Sequence, residues 1–285
     1  MLPTFVIGLR EGLEAALIVG IVAAFLRQQG RSDSLRWMWL GVAFAVVLCG
    51  GVAYALHVAE ENLPQREQER LETVIALAAV GMITWMVVWM RRHSADLKGD
   101  LQQRASAALI QGSAIGLVAM AFLAVLREGL ETAVFMLAAF QQSDRPALTG
   151  TGALLGVAVA VVLGYLIYRG GVKINLSKFF RITGVVLVLV GAGLFSFAVH
   201  TAHEGDWWNL MLGRAVDLRW LIHPGSVQSA LITGMFGIQP EPTWGEALAF
   251  LLYAVPMTIY VCRPTRPPAR AANAPAPVMS TVESV

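Results

Sequence analysis

Seven stretches of this 285-residue chain are apolar over roughly the length a bilayer requires: about 3–27, 36–58, 71–91, 110–140, 149–169, 179–200 and 244–262. A spanning helix needs about 20 predominantly apolar residues. The pattern predicts an all-α polytopic membrane protein with seven transmembrane helices. Composition agrees, with 56% hydrophobic and 14% charged residues and a mean hydropathy of +0.63.

The basic residues orient the spans. The segments at 27–36, 91–104, 169–181 and 263–270 carry 14 Lys and Arg, whereas those on the opposite side carry five: Arg66, Arg70, Arg145, Arg214 and Arg219. By the positive-inside rule the N-terminus lies outside and the C-terminus in the cytoplasm, as an odd number of spans requires. Arg10, Glu11 and Glu14 stand where a cleaved signal peptide would have its apolar region, so the first helix is expected to be retained. A net charge of +2, dispersed over loops, gives no reason to expect a nucleic-acid partner. Cys49 and Cys262 lie in separate apolar segments, without disulfide or metal spacing, and read as packing residues.

An internal repeat runs through the chain. Leu9-Arg10-Glu11-Gly12-Leu13-Glu14 recurs unchanged as Leu126-Arg127-Glu128-Gly129-Leu130-Glu131. Residues 41–48 match 156–163 at all but one position, and Thr73, Leu77, Val80 and Gly81 correspond to Thr183, Leu187, Val190 and Gly191. In order, these matches describe a duplicated three-helix unit. Because each unit has an odd number of spans, the copies lie in opposite orientation, an inverted 3+3 repeat plus one C-terminal helix. The expected organisation is a first unit over 1–92, a cytoplasmic loop over 93–109 and a second, inverted unit over 110–200. An outer loop over 201–243, interfacial or re-entrant, then leads to a seventh helix over 244–262 and a disordered cytoplasmic tail over 263–285.

The repeated hexapeptide is where the chemistry lies. A charge near the bilayer centre costs at least about 2.5–3.5 kcal/mol on insertion scales, and such residues usually mark ion paths. Glu11 and Glu14 share a helix face, as do Glu128 and Glu131, while Arg10 and Arg127 stand four residues before the second glutamate of each copy. Gly12 and Gly129 allow a neighbouring helix to come close. Facing copies would place four carboxylates and two guanidinium groups together, a formal charge of −2 that a divalent cation neutralises. Carboxylates are hard ligands, suited to iron, manganese or magnesium rather than copper(I). The competing reading is a pair of buried Arg–Glu bridges locking two helices together, although buried ion pairs rarely repay their desolvation. Under either reading the duplication implies that equivalent changes in the two copies have equal effects.

Arg-Glu-Gly-Leu-Glu in the first and fourth of seven helices resembles the oxidase-dependent iron transporter family, also called the iron/lead transporter family. Residues 63–69 (LPQREQE), Thr84-Trp85-Met86, Ala138-Ala139-Phe140-Gln141-Gln142 and His203-Glu204 resemble its bacterial branch, so that the likeness covers nearly the whole chain. The resemblance implies an inner-membrane iron permease, not an enzyme, with iron as transported substrate and no permanently bound cofactor. It carries iron translocation onto Glu11, Glu14, Glu128 and Glu131, with Arg10 and Arg127 completing the motifs. It also implies a periplasmic iron-binding protein and a haem peroxidase as partners, and any redox step is expected of another chain.

Lesser candidates lie on the outer face. Glu60, Glu61, Glu67, Glu69 and Glu72 precede or open the third helix, where they either concentrate cations or merely favour a helix start after Pro64. Glu69 and Glu72 are the better relay candidates. His200, His203, Glu204 and Asp206 form a second group, of which His203 and Glu204 match the family. Met82, Met86 and Met90, with Trp85 and Trp89, read as packing. Two further functions compete: an intramembrane carboxylate-iron oxidoreductase, which lacks the usual Glu-x-x-His elements, and a ferric permease dependent on a partner oxidase.

Overall fold

A computed structural model describes residues 1–28, 30, 32–93, 114–143, 146–169, 176–207, 211, 213–215 and 241–263. Among these the chain forms seven α-helices: α1 Leu2–Gln28, α2 Ser32–Glu61, α3 Gln65–His93, α4 Ala114–Gln141, α5 Pro146–Tyr168, α6 Leu176–Glu204 and α7 Trp244–Cys262. The 93–109 loop after His93, the central part of the 201–243 segment and the tail beyond Arg263 lie outside the described residues.

Five helices, α2, α3, α5, α6 and α7, combine the length and apolarity needed to cross a membrane, and the chain is a multi-pass membrane protein. The remaining two, α1 and α4, are as long but differ in charge. Any 18-residue window of either holds at least three charged residues, chiefly those of the repeated motif. The helices lacking the spanning composition are therefore the two that carry the motif.

Several helices run past their expected ends, among them α2, α3 and α6. α3 begins at Gln65 rather than near 71, because the Pro64 carbonyl accepts the Glu67 and Gln68 amides at 2.9 and 3.0 Å and opens the first turn there. Glu69 and Glu72 consequently stand on the helix. α6 continues to Glu204, carrying His200, His203 and Glu204 on one rod. Antiparallel pairing of 213–215 with 242–244 leads into α7 (Ala215 N to Pro242 O 3.0 Å, Trp244 N to Gly213 O 2.9 Å). α7 starts on a capping box in which Thr243 and Glu246 each accept the other's amide.

Helix pairing follows small residues, since in lipid close van der Waals contact drives association more than apolarity does. α1 packs chiefly along α5, α4 along α2, and α3 along α6, which also supports α7; α1 and α4 cross each other. On α5 the contact stripe is Gly152, Gly156, Ala160 and Gly164, every fourth residue and all buried. The backbones are so near that a β-carbon at Gly8 would lie 2.6 Å from the Ala153 carbonyl oxygen. The matching α2–α4 contact seats Cys49 against Gly129, where a β-carbon would meet its sulfur at 2.6 Å. Cys49 thus packs, whereas Cys262 ends α7 exposed. Hydroxyls tie the other pairs: Thr4 donates to the Thr149 carbonyl at 2.9 Å, Thr73 meets Thr201 at 2.8 Å, and Thr84 meets Tyr253 at 3.0 Å.

The apolar interior is in two parts. One cluster gathers α3, α6, α7 and the later half of α4 around Ile83, Phe135, Leu187 and Leu194. The other joins α1, α2 and the first half of α4 through Val22, Leu26, Met38 and Leu117. Along α1 the motif separates Ile7 of the first cluster from Val19 of the second. Along α4 it separates Val125 from Phe135. Both motifs therefore sit at the seam between the two cores.

Candidate metal centre

Glu11 is almost fully buried, at 1% exposure, because α1 is covered along its length by α5 and crossed by α4. Arg10, equally buried, donates from Nη1 to Glu11 Oε1 at 3.0 Å, and its Nη2 lies 3.2 Å from Glu14 Oε1. The second contact is an ion pair without hydrogen-bond alignment, which leaves Glu14 Oε1 buried without a hydrogen-bond donor. On α4, Arg127 donates from Nε to Glu131 Oε1 at 2.9 Å. The crossing of the helices brings the two copies together. Glu11, Glu128 and Glu131 each contribute one carboxylate oxygen to a group lying within 4.8 Å of one another. Oxygens on opposite sides of a cation with bonds of about 2.1–2.4 Å are separated by roughly that much.

The two arginines compensate this group only in part, since Arg10 pairs with Glu11 and Arg127 with Glu131 while Glu128 has no arginine of its own among the described residues. Glu11 and Glu128 bring carboxylate oxygens within 4.8 Å of each other, and anions that close are favoured by a shared cation. Glu11 Oε2 is buried with no partner. Glu14 is outside the three-oxygen group but near enough to Glu131 to interact electrostatically. The structure thus brings together all four glutamates of the motifs, three of them in ligand spacing.

Both hydrogen-bonded Arg–Glu pairs are formed within a single helix. Among the described residues no hydrogen-bonded Arg–Glu bridge of the motifs therefore runs between α1 and α4, which weakens the reading of the pairs as a lock. The arginines are also unequal. Arg10 is enclosed by the Met86 sulfur, to which its Nη1 points, and by the Phe180 ring, 5.9 Å away. Arg127 is 52% exposed and lies 5.9 Å from the Trp89 ring. Met86 and Trp89 are three apart on α3, so one face of that helix touches the arginines of both copies. Met86 does pack in the core as expected, but its contact with Arg10 has no signature in the methionine spacing.

A second polar group occupies the far end of the bundle, about 15 Å along α4 from Glu131 at 1.5 Å per residue. Gln141 donates to Glu60 at 3.0 Å and Gln68 to Glu72 at 3.2 Å. Glu60 acts electrostatically on Glu72, and Glu204 on Glu69. His200 Nδ1 lies 3.0 Å from Glu246 Oε1, and its Nε2 lies 3.5 Å from Glu204 Oε1. Of the expected relay residues, Glu69, Glu72 and Glu204 join this group. His203 lies against Gly245 at the start of α7. His200 and Glu246 are the linking pair, and Glu246, 3% exposed, was not anticipated. Its signal was the Thr243-x-x-Glu246 capping box, which marks a helix start and says nothing of a buried partner.

Comparison with known proteins agrees with this chemistry. The model of the iron permease FTR1 family matches residues 1–263. The chain is 41% identical over 275 residues to the ferrous iron permease EfeU of Escherichia coli O157:H7, covering 96% of this chain and 99% of that protein. It is 40% identical over 278 residues to EfeU of Yersinia pestis, covering 97% and 98%. A relative in Escherichia coli K12, 41% identical over 277 residues, is named a putative inactive ferrous iron permease. No solved structure matches. The carboxylate cluster at the crossing of two charged helices is thus carried by a chain that belongs to the iron permease FTR1 family.

Proposed function

We propose that this protein imports iron across the cytoplasmic (inner) membrane, in ferrous form, by passing the ion between the glutamates of the two motifs. The observation that carries the reading is the convergence of Glu11, Glu128 and Glu131 from two copies of one motif, with a buried carboxylate oxygen left unpartnered. Iron as substrate follows from the family. Ferrous specificity follows from the names of the relatives, and from a net −2 site that a divalent ion neutralises. The four motif glutamates are the ion ligands, Arg10 and Arg127 orient them, and Glu69, Glu72, His203 and Glu204 lie on the outer approach.

The architecture proposed is seven spans, with an inverted repeat of α1–α3 and α4–α6 followed by α7. The packing supports it. Exchanging α1, α2 and α3 for α4, α5 and α6 converts the α1–α5 pairing into α4–α2 and α1–α6 into α4–α3, and leaves α3–α6 and α1–α4 as they are. The 14-to-5 division of basic residues places the N-terminus outside. Any redox step belongs to separate chains, and a periplasmic iron-binding protein and a haem peroxidase are the partners the family resemblance implies. The oxidoreductase alternative is disfavoured because the cluster holds carboxylates and no histidine.

The test is iron flux into sealed proteoliposomes, with the oxidation state clamped by reductant or oxidant. Uptake of reduced iron by the wild type, and its loss in Glu11→Gln or Glu128→Gln at equal protein incorporation, is the expected result. Uptake only of oxidised iron would transfer the proposal to the ferric form. Undiminished uptake by both variants would remove the carboxylates from the path.

A further inference from the structure

Three arginines meet at one end of the bundle, away from the permeation site. Arg91 at the end of α3 donates from Nη2 to the Arg263 carbonyl at 2.7 Å, and Arg181 at the start of α6 donates from Nη2 to the Cys262 carbonyl at 3.1 Å. Arg263 itself is the C-cap of α7. Because the two carbonyls belong to consecutive residues, about 3.8 Å apart at Cα, the two guanidinium groups lie within roughly 10 Å of each other. All three arginines stand at the boundary of apolar spans, which end at Arg91 and Cys262 and begin at Lys178. Arg91 is stacked on the Tyr260 ring at 4.2 Å, the aromatic position typical of a headgroup layer.

Capping a helix end does not account for this much charge. The C-terminus of a helix carries about half a negative charge, against three positive guanidinium groups. Among the described residues none of the three arginines has a carboxylate partner. Arg181 and Arg263 are exposed and Arg91 is partly so, and each capping guanidinium uses only one of its five N–H donors on a carbonyl. An accessible surplus of more than two positive charges at the membrane boundary calls for an anion, with oxygens that accept several N–H groups in fork geometry.

We propose that the ends of α3, α6 and α7 form a binding site for the phosphate of an anionic phospholipid, which clamps α7 to the α3–α6 pair. The lipid, rather than free phosphate, is the occupant because the donors sit where three spans leave the hydrocarbon. A headgroup is already held there by its acyl chains, at high local concentration. The site is independent of the permeation site, since it shares no residue with the motifs.

The experiment uses the purified full-length protein in detergent, with its melting temperature followed on adding phosphatidylglycerol, phosphatidylcholine or inorganic phosphate. Phosphatidylglycerol should stabilise the wild type more than phosphatidylcholine does, and this difference should vanish in Arg91→Gln/Arg181→Gln. Equal loss of stability by the variant in both lipids, with the phosphatidylglycerol increment retained, would reduce the arginines to helix caps. Stabilisation by millimolar inorganic phosphate equal to that by phosphatidylglycerol would also overturn the assignment. Should the double variant not fold, native mass spectrometry of the wild type from an equimolar mixture decides instead. Retention of phosphatidylglycerol should exceed that of phosphatidylcholine by about fivefold for each engaged arginine and decline with salt. Equal retention would refute the site.

Discussion

Gly156→Ala adds one methyl group to α5 and should abolish transport, although the residue touches no ion. Its β-carbon would press on the Phe5 carbonyl oxygen and lie 2.7 Å from the Leu9 amide nitrogen, where ordinary contact begins at 3.4 Å. Both obstacles are backbone atoms of α1 and cannot rotate aside, so α1 must retreat by at least 0.7 Å, the difference between those distances. Glu11 is two residues beyond Leu9 and moves with it. Metal ligands tolerate shifts of only about 0.2 Å, so the displacement exceeds what the three-carboxylate group can absorb. In stability, alanine gains about 1 kcal/mol of helix propensity over glycine and loses about 1–3 kcal/mol to overpacking, leaving the variant folded but less stable. Gly51→Ala on α2, where nothing lies within 4 Å, keeps the propensity gain without the clash and serves as control. Iron flux and melting temperature would be measured in parallel in proteoliposomes. Gly156→Ala should lose at least about tenfold in flux and Gly51→Ala none. Wild-type flux in Gly156→Ala would show that the α1–α5 contact does not set the site.

Other perturbations separate the two polar groups. Glu14→Gln and Glu131→Gln keep shape and remove charge, and should suppress iron flux while leaving abundance and gel-filtration profile unchanged. His200→Ala leaves the buried Glu246 carboxylate without its ring partner and should destabilise the protein by about 1–3 kcal/mol, whereas His200→Gln should recover part of that in the same denaturation assay. Met86→Leu nearly preserves apolar volume but removes the thioether contact of α3 with Arg10, and is expected to lower maximal flux more than it lowers stability; a purely packing role would lower stability alone.

What was legible in the sequence was whatever depends on local composition. Seven apolar runs became seven helices, and Arg10-x-x-x-Glu14 paired within its own turn because i,i+4 geometry is a property of any helix. The convergence of Glu11 with Glu128 and Glu131 was legible only through the repeat, which implied facing copies without saying which carboxylates would touch. The His200–Glu246 pair was hidden, since it joins α6 to α7 across 46 residues and neither residue belongs to a recurring pattern. The early start of α3 depended on Pro64, whose role as a helix opener outweighed the charge of the segment behind it.

The point at which repeat and structure disagree is the arginines, and it supplies the sharpest test. Identical motifs lead one to expect Arg10→Lys and Arg127→Lys to behave alike. Their surroundings differ. Arg10 is 1% exposed and meets two carboxylates, a thioether and an aromatic ring, so a lysine there gives up the planar fork in a place without water. Each buried group left unsatisfied costs about 1–3 kcal/mol, or roughly a factor of 5 to 150 if the loss is taken up in holding Glu11 and Glu14. Arg127 is half exposed and hydrogen-bonds Glu131, so fewer buried protein groups depend on its fork, and a lysine there gives up less. Arg10→Lys should therefore cut iron flux severely, and Arg127→Lys distinctly less, both at wild-type abundance. Equal losses would restore the symmetry of the repeat and place both arginines in the ion path. Loss of protein in Arg10→Lys, rather than of flux per molecule, would make that arginine a structural element of α1.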